Sequence, residues 1–89
     1  MSSEGRIGVR WKLRGRVQGV GFRWFTRKEA RELGVSGRVR NLPDGCVEIE
    51  AVALPEVLEH FKERVREGPP GARVANLEEE PMSPTSSPP

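Results

Sequence analysis

Apolar side chains occupy alternate positions at Ile7, Val9, Trp11 and Leu13, with Gly8, Arg10, Lys12 and Arg14 between them. A period of two sends one face of an extended chain into a core and the other into water, so this segment predicts a first strand. Gly15-Arg16-Val17-Gln18-Gly19-Val20-Gly21 follows. Its density of glycine marks a loop whose backbone needs unusual torsions or a close approach to something. The period then lengthens. Phe22, Phe25 or Thr26, Ala30 and Leu33 recur at helical spacing, and Gly34 is placed to end a first helix.

Two further strands, residues 35–42 and 46–53, flank Leu42-Pro43-Asp44-Gly45, a set of strong turn formers, and predict a hairpin. In the second of them Val47, Ile49 and Ala51 share a face while Glu48 and Glu50 take the other. That alternation implies a sheet wet on one side and covered on the other. Pro55 suits the first turn of a second helix, Val57, Leu58, Phe61 and Val65 trace its buried stripe, and Gly68-Pro69-Pro70 stops it. A last strand is expected over residues 73–79, where Val74 and Leu77 reach the same face only if a bulge intervenes. Residues 81–89, with four prolines and three serines, are expected to form a flexible tail, and the acidic run Glu78-Glu79-Glu80 to be solvated. The order strand, helix, strand, strand, helix, strand predicts an α+β, ferredoxin-like βαββαβ sandwich over residues 5–80, with two helices on one face of an antiparallel sheet.

Eighty-nine residues leave room for one domain. Cys46 and His60 are the only residues of their types, which excludes an internal disulfide and the usual cysteine/histidine zinc cage. Neither has a partner at useful spacing, so both read as packing or surface residues. Met1-Ser2-Ser3-Glu4-Gly5-Arg6 leads into no apolar segment of signal length, and no stretch could span a membrane; a cytoplasmic location is expected. The net charge of +2 conceals an asymmetry, for residues 1–45 sum to +7 and residues 46–89 to −5. A basic half points to an anionic partner, a phosphate-bearing small molecule or a nucleic acid.

Charge alone cannot choose between them, so the decision rests on spacing, above all that of the glycine loop. Lying between a strand and a helix N-terminus, its successive N–H groups have no intrahelical acceptor and can curl into a nest for an anion, reinforced by the helix dipole. Arg23, on the first helical turn, adds a planar guanidinium that can give two parallel hydrogen bonds to phosphate oxygens. A P-loop is excluded because no glycine precedes a lysine, and the dinucleotide fingerprint fails because Trp24 stands where its third glycine belongs. Gly21-Phe22-Arg23-Trp24-Phe25 echoes the aromatic strand of an RNA-binding module, but here those residues open a helix. Phe22 and Phe25 read there as core, and Trp24 as a partly covered neighbour.

The segment Gly15-Arg16-Val17-Gln18-Gly19-Val20-Gly21-Phe22-Arg23 resembles the signature of the acylphosphatase family, small hydrolases of the carboxyl-phosphate bond. Thr26, Glu29-Ala30-Arg31, Gly34, Gly37-Arg38-Val39-Arg40-Asn41, Asp44-Gly45 and Gly68-Pro69 extend the resemblance over residues 7–79. The resemblance implies that the loop amides of Val17, Gln18, Gly19, Val20, Gly21 and Phe22 and the side chain of Arg23 bind the phosphoryl group. It implies that Asn41 orients the attacking water, and that the substrate is a small acyl phosphate, with no cofactor, no metal and no nucleic acid. Such chemistry suits these residues. The carboxylate leaves readily, and fixed amides with one guanidinium can stabilise the charge spread over the phosphoryl oxygens. Asn41 cannot act as a base, but it can accept a hydrogen bond from water.

Two departures stand out. Arg38 replaces a usual aromatic and adds a positive charge to a sheet face, and Ala53 replaces a common glycine. The family's closing apolar strand is expected to be absent, since residues 81–89 offer only Met82 as an apolar side chain. That would leave a sheet edge open, so the expected monomer has a route to edge pairing. A catalytically weak anion-binding relative and a small RNA-binding module are the alternatives.

Overall fold

The computed structural model describes residues 5–84. In chain order it contains β1 (Ile7–Arg16), α1 (Phe22–Leu33), β2 (Ser36–Asn41), β3 (Val47–Ala53), α2 (Pro55–Glu67) and β4 (Arg73–Met82). The strands form one antiparallel sheet in the order β2-β3-β1-β4, which places β1 and β3 at its centre. This is the ferredoxin-like βαββαβ arrangement, and among the described residues the sheet has four strands.

Alternation in β1 and β3 builds the core. Val9, Trp11 and Leu13 of β1 join Val47, Ile49, Ala51 and Ala53 of β3, and Phe22 of α1 with Leu58, Phe61 and Val65 of α2 cover them. Trp11 and Phe61 meet with ring centroids 5.5 Å apart, joining the central strand to α2. Burying a side chain of that size contributes about 1.5–3 kcal/mol, so these two rings are major contributors in a domain without a disulfide. Gly34 ends α1 in the left-handed conformation at φ 75°. The Val35 N–H then returns to the Ala30 carbonyl at 2.8 Å, and this closing turn keeps Val35 out of β2.

The sheet face opposite the helices is a lattice of ion pairs. Glu50, only 8% exposed, lies between Arg10 at 3.1 Å and Arg38 at 3.2 Å. Burial alone would push the Glu50 carboxyl up, but its bonds to Arg10 and Arg38 overcome this and hold it below the ordinary value. Arg40 pairs with Glu48 at 2.8 Å and Lys12 with Asp44 at 3.0 Å. Arg38 therefore does not add a free positive charge to this face; the cross-strand register sets it opposite Glu50, which neutralises it.

The last strand is longer than its sequence suggests. Register shifts between Arg14 and Gly15, where β4 skips Ala75, and this bulge turns both Val74 and Leu77 towards the core. Pro81 and Met82, expected in the tail, instead pair with Val9 and Gly8. Proline is tolerated there because β4 is an edge strand. The acidic run is not wholly solvated either. Antiparallel register with β1 puts Glu79 opposite Trp11, whose indole N–H it accepts at 2.9 Å, and Lys62 of α2 approaches the same carboxylate at 2.9 Å. Glu80 pairs with Arg10 at 2.9 Å. Beyond residue 84 the expected tail lies outside the described residues.

Candidate active site

The site stands where β1 ends and α1 begins. Gly19 and Gly21 have φ of 75° and 74°, the left-handed region, and a Cβ at either would meet nothing within 4 Å. Glycine is needed at both for torsion rather than for space. Gly21 is also the residue preceding the first turn of α1, and no side chain caps that end. The first helical bond runs from the Phe25 N–H to the Gly21 carbonyl at 3.0 Å. The N–H groups of Phe22, Arg23 and Trp24 thus lie ahead of the helical ladder. No acidic residue occupies this first turn, whereas α2 carries Glu56 in its own, so positive potential at the start of α1 is left uncompensated by the chain.

Val17 and Phe22, 1% and 2% exposed, anchor the two ends of the loop in the core. Between them a shallow depression of about 230 Å³ is lined by Val17, Gly19, Gly21 and Phe22 from the loop and by Arg23, Trp24 and Arg27 from α1. Asn41, the exposed last residue of β2, completes it. The fold therefore brings Arg23 and Asn41, 18 positions apart in sequence, to one surface. Arg10, Arg38, Arg40 and Arg64 are held in ion pairs, whereas among the described residues no ion pair engages Arg23 or Arg27.

Gln18 and Val20 do not line the depression. Val20 packs against the core, and the Gln18 side chain turns to the β2–β3 turn, where its amide donates to the carbonyls of Leu42 at 2.9 Å and Cys46 at 2.8 Å. The turn has its own bonds. Leu42 N–H donates to the Cys46 carbonyl at 2.8 Å, and the Asp44 carboxylate accepts the Cys46 N–H at 3.1 Å. That bond, together with Lys12, lowers the Asp44 carboxyl to about 2. Burial raises the Cys46 thiol, an environment that suits packing rather than nucleophilic attack. His60 is exposed on α2, away from the depression.

Sequence reasoning missed two contributors. Arg27 stands one turn after Arg23, so helical spacing could have placed it on the same surface. Trp24 was expected to be partly covered but is 67% exposed, because Phe22 and Thr26 take the inward positions at the start of α1. Phe25, expected in the core, is only half-buried, lies outside the core cluster and meets the Phe22 ring with centroids 6.2 Å apart. Among the described residues no three His, Cys, Asp or Glu residues gather as metal ligands would.

Comparison with known proteins bears on the chain as a whole. The acylphosphatase family model matches residues 9–87. The acylphosphatase of Archaeoglobus fulgidus is 56% identical over 72 residues, covering 81% of each chain. That of Thermococcus kodakarensis is 51% identical over 73 residues, covering 82% of this chain and 80% of its own. The crystal structure of the acylphosphatase from Bacillus subtilis superposes with a TM-score of 0.83 at 38% identity, over 85% of this chain and 84% of that one. By family model, sequence and fold alike, this chain belongs to the acylphosphatase family.

Proposed function

We propose that, in the hydrolysis of acyl phosphates that this family membership carries, the amides of residues 17–22 and the Arg23 guanidinium hold the phosphoryl group while Asn41 orients the water. The observation that supports it is the convergence of an uncapped helix start, an arginine that no ion pair engages among the described residues and Asn41 on one depression. Water attacks phosphorus as the bond from phosphorus to the acyl oxygen breaks. The carboxylate leaves with the bonding pair, and the water proton passes to a phosphoryl oxygen. Negative charge on the equatorial oxygens grows towards the N–H groups and the guanidinium, which are already in place and need no reorganisation. Asn41 contributes by accepting a hydrogen bond from the water and fixing its approach.

The same reading needs no metal, since fixed donors supply the charge stabilisation. It treats residues 5–80, with the continuation of β4, as the catalytic domain. A cytoplasmic monomer fits it best. Among the described residues no helix is long and apolar enough to cross a membrane. A dimer would form by pairing of the sheet's edge strands, β2 or β4 among the described residues. Nucleic acid is a poor partner because the open sheet face presents arginines already paired with glutamates. The test is hydrolysis of benzoyl phosphate in EDTA. Turnover unaffected by the chelator supports the reading, and a folded protein that binds phosphate without turnover contradicts it.

A further inference from the structure

Trp24 is the most exposed large apolar side chain described, at 67%, against 1% for Trp11. Packing does not explain it, because the buried residues at the start of α1 are Phe22 and Thr26. Its position does. Trp24 lines the depression that holds Arg23 and Asn41. If the loop amides and Arg23 take the phosphoryl group, as proposed above and on which this inference rests, the acyl half must lie against what remains of the lining. Val17 and Phe22 are buried, the glycines carry no side chain, and Asn41 is committed to water. Trp24 and Arg27 are left.

We propose that Trp24 is the acyl-group platform and sets substrate preference, favouring acyl phosphates with a planar aromatic or conjugated acyl group over short aliphatic ones. An indole offers a broad flat surface with a negative face and a positive edge, and it attracts another ring in offset or edge contact. The Arg27 guanidinium, one turn away, supplies a second planar surface of the kind that stacks on aromatic groups. A small saturated acyl group gains little from either. Trp24 acts on binding of the acyl half and does not touch the reacting bond, so its contribution falls on KM rather than kcat.

The test compares benzoyl phosphate with acetyl phosphate in the wild type, Trp24→Ala and Trp24→Phe. An exposed residue can be truncated without loss of fold, and far-UV circular dichroism verifies this. The expected result for Trp24→Ala is a rise in KM for benzoyl phosphate of roughly three- to tenfold, with kcat within about twofold and acetyl phosphate unaffected. Phenylalanine should restore most of the loss. Equal loss on both substrates, or none on either, overturns the proposal. A second readout does not depend on turnover: benzoate added in saturating inorganic phosphate should quench the fluorescence of the wild type but not of Trp24→Phe, whose only remaining tryptophan is the buried Trp11. Absence of quenching in the wild type overturns the platform. Quenching without hydrolysis of either acyl phosphate supports it and overturns the hydrolytic reading alone.

Discussion

The side-chain amide of Gln18 donates to the Leu42 carbonyl at 2.9 Å, and so ties the glycine loop to the residue that follows Asn41. The same nitrogen reaches the Cys46 carbonyl at 2.8 Å, closing both sides of the β2–β3 turn on the loop. One side chain thus sets the distance between the proposed phosphate donors and the proposed water-orienting residue. Loss of this clasp should damage catalysis more than stability. Gln18→Ala is expected to lower kcat about ten- to a hundredfold through misplacement of Asn41, for a stability loss of about 0.5–1.5 kcal/mol. Gln18→Glu should be worse, since both partners are acceptors and a carboxylate has nothing to donate. Steady-state kinetics beside urea unfolding of the two variants would check this, and wild-type kcat in Gln18→Ala would contradict it.

Asp44 makes the same turn sensitive to acid. Its carboxylate accepts the Cys46 N–H and pairs with Lys12, which lowers it from 3.8 to about 2. A depressed folded value means that the unfolded chain takes up its proton first as pH falls. The stabilisation is therefore fully present above about pH 4 and is lost as the pH falls towards 2. Asp44→Asn should flatten the acid limb of stability within this window and leave the profile above it unchanged in shape. Denaturant unfolding at stepped pH measures it, and an unaltered acid limb would contradict the assignment.

Glu79 and Glu80 are neighbours with different consequences. Glu79 satisfies the indole N–H of Trp11, itself 1% exposed, whereas Glu80 makes an exposed pair with Arg10. Glu79→Ala should cost about 1–3 kcal/mol because it strands a buried donor. Glu80→Ala should stay within about 1 kcal/mol. Thermal unfolding of the two variants side by side separates them, and equal losses would contradict the distinction.

The sequence carried the fold wherever structure follows local periodicity. Alternation defined β1 and β3, the change of period at Phe22 marked α1, and Gly15 to Gly21 exposed the loop, since each signal lies within one short segment. What it concealed depends on partners distant in the chain. The Gln18 clasp joins residues 24 and 28 positions apart, and the bond from Trp11 to Glu79 spans 68, so neither has a local signature. Pro81 and Met82 read as tail because proline argues against a strand, and only the pairing with β1 makes them an edge. Arg23 and Asn41 were legible through a family resemblance; their shared depression became visible with the sheet order.

The most direct measurement of the central claim is benzoyl phosphate turnover together with inorganic phosphate binding in Arg23→Ala and Asn41→Ala. Both variants are expected to lose about a hundred- to a thousandfold in kcat with the fold intact. Phosphate affinity should separate them, falling sharply in Arg23→Ala and staying near wild type in Asn41→Ala, because of these two side chains the guanidinium is the one proposed to hold the phosphoryl oxygens. Turnover near wild type in Arg23→Ala, or equal loss of phosphate binding in both, would contradict the division of labour between the two residues.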